Sequence, residues 1–321
     1  MDGSGKKEQK DLWSDYWRTS QSNDCASDFP EDARRAIAGK WRVIFSRLES
    51  GDSVLDVATG NGALVALLAE VAGPELGLFV TGVDLAQIDP RANAGLPGGE
   101  GAAGMAELSF RGGVDAANLP FDDRSFTLVV SQFGLEYADF EKAIGEACRV
   151  ARRWVKLLIH AADGAVVRQN GLIPGQVDWL CRELGLFDAA REQITAPTGV
   201  TRDRLASISV AIRKKCAALE NPDFLYSSSQ YMGQLLGQSA AMGKAQAVRY
   251  VDAMEARIEG NAKRMRALAG AARSEDDLAR ASDICAAAGY DPVSVTAECP
   301  GGEQRLAGYW LEAERPGGKE S

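Results

Sequence analysis

The stretch Val54-Leu55-Asp56-Val57-Ala58-Thr59-Gly60-Asn61-Gly62-Ala63 constrains this chain more than any other. Ser53 to Val57 is a short, mostly apolar run, the kind that fills a strand buried on both faces. Leu64, Leu67, Leu68 and Val71 then recur at i, i+3, i+4 and i+7, which puts them on one face of a helix. Gly60 and Gly62 permit a tight turn between the two and leave no side chain where backbone approaches a ligand. The helix start offers unpaired N–H groups. A strand, turn and helix of this kind predict a nucleotide-like cofactor. A dinucleotide fingerprint places a third glycine where this chain has Val65. Asp56, inside the strand, suits a cationic ligand better than a pyrophosphate.

Leu78 to Asp84 reads as a second buried strand ending in an acid. An ionised carboxylate there has two oxygens to accept from both hydroxyls of a ribose, or it serves only as a strand-end cap. A third strand is expected at Ala106 to Phe110, followed by Gly113-Val114-Asp115-Ala116-Ala117-Asn118-Leu119-Pro120-Phe121-Asp122. Thr127 to Ser131 is the fourth strand, with Gln132-Phe133-Gly134-Leu135-Glu136-Tyr137 at its carboxyl end, the edge where open α/β sheets bind ligands. Val155 to His160 is the fifth. The helix between the fourth and fifth strands is expected to run through Phe140, Ile144, Ala147, Cys148 and Ala151.

In this order, Asp56 with the Gly60/Gly62 turn, Asp84, Asp115-Ala116 and Leu119-Pro120-Phe121 resemble class I methyltransferases that use S-adenosylmethionine. The resemblance is to the small-molecule group around ubiquinone and menaquinone biosynthesis, over roughly residues 35 to 160 and about the last thirty. It implies an α/β fold: a seven-stranded, Rossmann-like, mainly parallel sheet with an antiparallel C-terminal hairpin. It also implies S-adenosylmethionine held by Asp56, Ala58, Thr59, Gly60, Asn61, Gly62, Asp84, Leu85, Asp115, Ala116, Gln132 and Phe133, with Asp115 on the adenine amino group and Gln132 and Phe133 beside the methionine part. The implied reaction is methyl transfer to a small-molecule acceptor. Trp13, Tyr16 and Trp17 form either a lid over the cofactor or a helix pinned by its rings. Glu136 and Tyr137 either line the substrate side or cap the next helix. Glu136 and His160, the chain's one histidine, are the candidate bases, and His160 serves equally well as a hydrogen-bonded structural residue. Two stretches depart from the family. Ala86 to Met105 is rich in Gly, Ala and Pro where a helix is usual, and the turn expected at Ala151-Arg152-Arg153-Trp154 lacks Pro-Gly-Gly.

The expected organisation is a tail and aromatic lid segment (1–29), a cofactor-binding core (30–161), a helical insertion acting as a cap (162–281), and a last helix with a strand pair that completes the core (282–321). Met1 to Lys10 is polar and reads as disordered. Asp28 with Glu31 resembles a capping box for a helix over Pro30 to Glu49. In the insertion, helical segments are expected at Val177 to Leu186 and Leu205 to Leu219. Val248, Val251, Met254, Ile258, Met265 and Leu268 make one stripe along a long helix, as ordinary core or as the seam of a homodimer. Ser274-Glu275-Asp276-Asp277 opens the last helix, and Pro292 to Glu298 with Arg305 to Ala313 form the hairpin.

A net charge of −9 disfavours nucleic-acid partners, which are held by basic patches. The six cysteines are scattered without a C-x-x-C pair, which predicts reduced thiols, no metal site and a cytoplasmic setting. No run reads as a signal peptide or membrane span. The rival readings are a S-adenosylmethionine-binding protein without catalysis, a nicotinamide-dependent oxidoreductase and a macromolecular methyltransferase.

Overall fold

Runs of β-branched and aliphatic residues make the centre of the sheet, because a strand covered on both faces has no place for polar alternation. In the computed structural model, which describes residues 3–19, 29–73, 75–90, 105–219, 221–300 and 306–317, β1 (Ser53–Val57) pairs in parallel with both β2 (Leu78–Asp84) and β4 (Phe126–Gln132). β3 (Met105–Gly112) adds in parallel beyond β2, and β5 (Ala151–His160) beyond β4. β7 (Gly308–Glu314) runs antiparallel to β5, and β6 (Val293–Glu298) antiparallel to β7 at the edge. The order β3-β2-β1-β4-β5-β7-β6 is the expected seven-stranded, mainly parallel sheet with an antiparallel C-terminal pair. Strand order reverses between β1 and β4, which opens a crevice at their carboxyl ends.

Helix α1 (Gly3–Thr19) begins where a disordered tail was expected. Lys6 to Lys10 are good helix formers that bury little apolar surface, and tertiary contacts of Lys6, Gln9 and the aromatic half hold the helix in place. Helix α2 (Glu31–Phe45) buries Ile37, Trp41, Ile44 and Phe45. Pro30 is its N-cap and Glu31 its first residue; Asp28, the other member of the expected capping box, lies outside the described residues. Helix α3 (Ala63–Val71) follows β1. Helix α4 (Phe140–Val150) enters β5 directly, with Ala151 already extended, so no turn separates Ala151 from Trp154. Trp154 lies between the guanidinium groups of Arg47 and Arg153, 4.6 and 3.9 Å from its ring centroid, which anchors the start of this strand. Most of the Gly/Ala/Pro-rich connection before β3 lies outside the described residues.

The chain divides into two compact units, one of Met1–Arg168 with Leu268–Ser321 and one of Gln169–Ala267. The second contains α6 (Ile173–Asp178), a π-helical turn (Trp179–Glu183), α7 (Leu186–Thr195), α8 (Gly199–Cys216) and α9 (Asp223–Met242), after the short α5 (Ala165–Asn170) that leads into it. α10 (Lys244–Ala271) carries the expected stripe. Its Val251, Met254 and Ile258 pack with Leu180, Phe187, Ile212 and Leu225, so their partners lie in this unit's own core and not in a dimer seam. α9 was not anticipated. Its Ser, Gln and Gly residues dilute the apolar spacing, although Leu225, Met232 and Leu235 are buried.

Helix α11 (Glu275–Ala287) returns to the first unit behind a Ser274/Asp277 capping box. Its Leu278, Ala281 and Cys285 share a core with Ile144, Ala147 and Cys148 of α4 and with Val129, Leu157 and Leu311 of the sheet. Arg149, near the end of α4, donates to Glu146, to Asp123 and to the carbonyls of Leu119 and Phe121, fastening the Leu-Pro-Phe segment to the helix. Arg149→Met removes all of these contacts and is expected to lower stability by about 1–3 kcal/mol, read as a shifted urea midpoint with an unchanged slope.

Candidate functional site

The crevice at the strand ends is a cavity of about 940 Å³, measured out into its open mouth. β1 and β2 supply Asp56 and Asp84, and the loop after β3 supplies Asp115; all three line it. Asp84 Oδ2 accepts from the Gly60 N–H at 2.9 Å and Oδ1 from the Ala86 N–H at 2.8 Å, so this one carboxylate ties the glycine turn to the loop after β2. Asp56 Oδ2 accepts from the Thr59 hydroxyl at 2.6 Å. Burial pushes Asp56 up to about 7, opposed by the Thr59 hydrogen bond and helped by the nearby Asp84 charge. Burial likewise pushes Asp84 up to about 6, against its two backbone N–H donors.

Burial also acts to raise Asp115. Its contact with Lys6 and the Ala117 N–H outweighs this and holds it below the usual carboxylate range. Lys6 Nζ lies 2.7 Å from Asp115 Oδ2, so this acid meets a cation of the same chain.

Two of the three non-glycine residues with left-handed backbone among the described ones sit at the same edge, the third being Arg124 before β4. Ala58 and Phe133, immediately after β1 and β4, adopt left-handed conformations with φ of 57° and 55°. A Cβ at Gly134 would come within 2.5 Å of the Ala58 side chain, so the two strand ends approach each other only because one residue lacks a side chain. Gly62 is the left-handed N-cap of α3, as the turn requires. Gly60 has φ 54°, and a Cβ there would meet the ring of Trp17 at 2.5 Å. The close approach predicted at this glycine is made by the protein's own α1.

Of the expected cofactor residues, Asp56, Ala58, Thr59, Asp84, Leu85, Asp115, Ala116, Gln132 and Phe133 line the cavity. Gly60, Asn61 and Gly62 are not among its lining; Asn61 is fully buried and donates to the Trp17 carbonyl. Trp13, Trp17 and Tyr137 line it, and Tyr16 packs behind them, 4.8 Å from the Trp17 ring. Lys6, Gln9, Val114 and Asp139 also line it and were not singled out from sequence. A signal for the first two existed: positions 6, 9, 13 and 17 share one face of a helix.

The candidate bases are brought together, but away from the cavity. Glu136 and His160 do not line it, and both are buried. Glu136 Oε1 accepts from the His160 backbone N–H at 2.9 Å and lies 2.8 Å from His160 Nδ1. Phe133, which does line the cavity, lies 4.2 Å from His160 by ring centroids. Cys181, Glu255 and Glu259 of the second unit lie close enough for their ligand atoms to converge, but Glu255 is already paired with Arg191.

Sheet order, crevice and acids define a nucleoside-binding α/β domain of the class I kind. Residues 55–159 match the family model described as a methyltransferase domain. A demethylmenaquinone methyltransferase of Chlorobaculum tepidum is 33% identical over 125 residues, covering 36% of this chain and 46% of that protein. Its counterpart from Thermotoga maritima is 36% identical over 125 residues, covering 37% and 49%. A ubiquinone/menaquinone biosynthesis C-methyltransferase of Stenotrophomonas maltophilia is 31% identical over 160 residues, covering 47% and 58%. The chain thus spans about half the length of the curated relatives it matches. A solved magnesium protoporphyrin IX methyltransferase from Synechocystis PCC 6803 with bound SAH aligns with 97% of this chain and 99% of its own, at 15% identity and a TM-score of 0.46, a likeness too slight to carry an inference. Residues 55–159 are thus similar to a methyltransferase domain of the kind found in the ubiquinone and menaquinone biosynthesis group.

Because Asp56 and Asp84 have folded-state pKa values above their unfolded ones, the stability linked to them is fully present below about pH 4. It is lost as pH rises through about 6 and 7. Asp56→Asn keeps an acceptor for Thr59 and removes one buried charge. It is expected to raise the ligand-free melting midpoint at pH 8 by about 2–4 °C, by less as pH falls, and to leave it nearly unchanged only below about pH 4.

Proposed function

We propose that this protein transfers a methyl group from S-adenosylmethionine to a small, apolar, ring-bearing acceptor, of the kind the names of its quinone-biosynthesis relatives suggest. The observation that carries this reading is the cavity itself: buried carboxylates of Asp56 and Asp84 at the sheet edge, roofed by Trp13 and Trp17. The residues present suit the cofactor. Asp84 spends one lone pair of each oxygen on a backbone N–H and retains acceptor capacity for ribose hydroxyls. Asp56 adds negative charge near a ligand that carries a cation. Asp115 and Ala116 would meet the adenine, with Lys6 sharing the Asp115 carboxylate, and Leu85 adds apolar contact.

When bound, the cofactor supplies a methyl carbon already activated by sulfonium. What remains for the chain is alignment, exclusion of water and a surface that tolerates positive charge. The aromatic faces of Trp13, Trp17, Phe133 and Tyr137 provide an apolar wall of that character. His160 and Glu136 act as a brace for Phe133 and not as a base, since neither borders the cavity. A cytoplasmic setting fits thiols at Cys148, Cys181, Cys216 and Cys285 that form no disulfide.

The direct test supplies methyl-labelled S-adenosylmethionine with a panel of quinols and simple phenols, and follows label into the organic phase. Transfer to none of them, with cofactor bound, would favour a binding protein without catalysis. Asp84→Asn is expected to weaken S-adenosylhomocysteine binding by about tenfold or more at pH 8 in calorimetry. Parent affinity should itself fall as pH drops through about 6, where Asp84 takes up its proton. His160→Gln is expected to lower the melting midpoint while leaving the shape of the pH–rate profile intact; loss of the fall in rate on the acid side would make it the base after all.

A further inference from the structure

Between β4 and α4 the chain makes one short 3₁₀ turn, Leu135–Tyr137. The last carbonyls of so short a helix have no partner within it, and groups from elsewhere must meet them. Two side chains far away in sequence do so. Arg273 Nη2 donates to the Glu136 carbonyl at 2.6 Å, across 137 residues, and Gln9 Nε2 donates to the Tyr137 carbonyl at 2.9 Å, across 128. Adjacent carbonyls of one turn are thus held by the residue that leads into α11 and by α1.

The two holders are not equally fixed. Arg273 is tied to the end of β5 by its own backbone: its N–H donates to the His160 carbonyl at 2.8 Å and its carbonyl accepts from the Ala162 N–H at 2.9 Å, a bridge beside Ala161. Its guanidinium lies over the Phe140 ring, 4.6 Å from the centroid. Gln9 rides on α1, which takes no part in the sheet. The same helix sets Trp13 edge-on against the Tyr137 ring, 5.0 Å between centroids at 83°. α1 therefore docks on Tyr137 through both its carbonyl and its ring. The Glu136 carbonyl and the Tyr137 nitrogen share one rigid peptide plane, so a guanidinium that holds this carbonyl fixes the direction in which Tyr137 leaves the turn.

We propose that Arg273, which does not line the cavity, is a positioning residue for Tyr137 and through it sets how tightly α1 closes over the cavity. The closure is read on the full, ligand-free chain as hydrogen exchange of the α1 amides, with the amides of β1 and β4 reporting overall stability. Arg273→Met is expected to speed exchange in α1 by about tenfold, as loss of one charge-assisted hydrogen bond would, and to change the strands far less. Arg273→Lys keeps a charged donor and is expected to give an intermediate rate, which carries the test if the methionine variant does not fold. In a Gln9→Leu background the effect of either change should shrink, because part of the docking it supports is already gone. Equal acceleration of α1 and the strands would make Arg273 a purely structural residue, and effects that simply multiply in the double variant would show that it does not act through this turn; both overturn the proposal. One further arm deepens the cofactor reading above and rests on it: release of bound S-adenosylhomocysteine should quicken in step with α1 exchange, and release at the parent rate would overturn the link to the cavity. A parent chain that binds no S-adenosylhomocysteine would overturn the cofactor reading alone, with the exchange data then deciding this proposal.

Discussion

One carboxylate holds the ligand-facing edge of this domain together. Asp84 gives one oxygen to the glycine turn after β1 and the other to the loop after β2, so two segments that meet only at the sheet edge share a single buried anion. Asp56 sits beside it, also buried, with one hydroxyl as partner. Neither arrangement is what stability alone would select, since burial opposes both charges. The strained backbone at Ala58 and Phe133 lies at the same edge. Cost concentrated in one place, with well-packed apolar strands behind it, is the pattern of an edge kept for a ligand.

Much of that edge was legible in the sequence. The strand ends, the acids that close β1 and β2, Asp115 and the Gln132-Phe133 pair are all local features, and a buried parallel strand announces itself by an apolar run that stops at a polar residue. The C-terminal hairpin was legible as two strands, while the mainly parallel sheet it closes came with the family resemblance. What stayed hidden depends on contacts distant in sequence. Nothing near Gly60 says that Trp17 will pack on it, and nothing in a Gly- and Lys-rich start says that Lys6 will find Asp115, 109 residues away. A polar segment with fair helix propensity but no apolar face was ordered by docking.

The two candidate bases carry a similar lesson. Position at a strand's carboxyl end placed Glu136 and His160 near the crevice, but strand-end position does not say which way a side chain turns. They turned toward each other, with Glu136 Oε1 meeting both the ring and the backbone of His160, and Phe133 stands between them and the cavity. Trp154 misled in the opposite sense: a sequence that lacks the usual turn residues has no turn there, because helix passes straight into strand.

The way α1 covers the glycine turn bears on kinetics. It is held by the half-exposed Lys6–Asp115 pair, by the Gln9 amide on the Tyr137 carbonyl, by the Asn61 amide on the Trp17 carbonyl and by ring contacts such as Trp13 with Tyr137 at 5.0 Å. None of these is woven into the sheet. Lifting this helix leaves every strand pairing intact, so it belongs to the low-energy, local openings of the fold. Under the function proposed above, a ligand beneath it would leave by the lifting of α1, and a change in those rings would alter how fast the site exchanges its contents more than how the sheet folds.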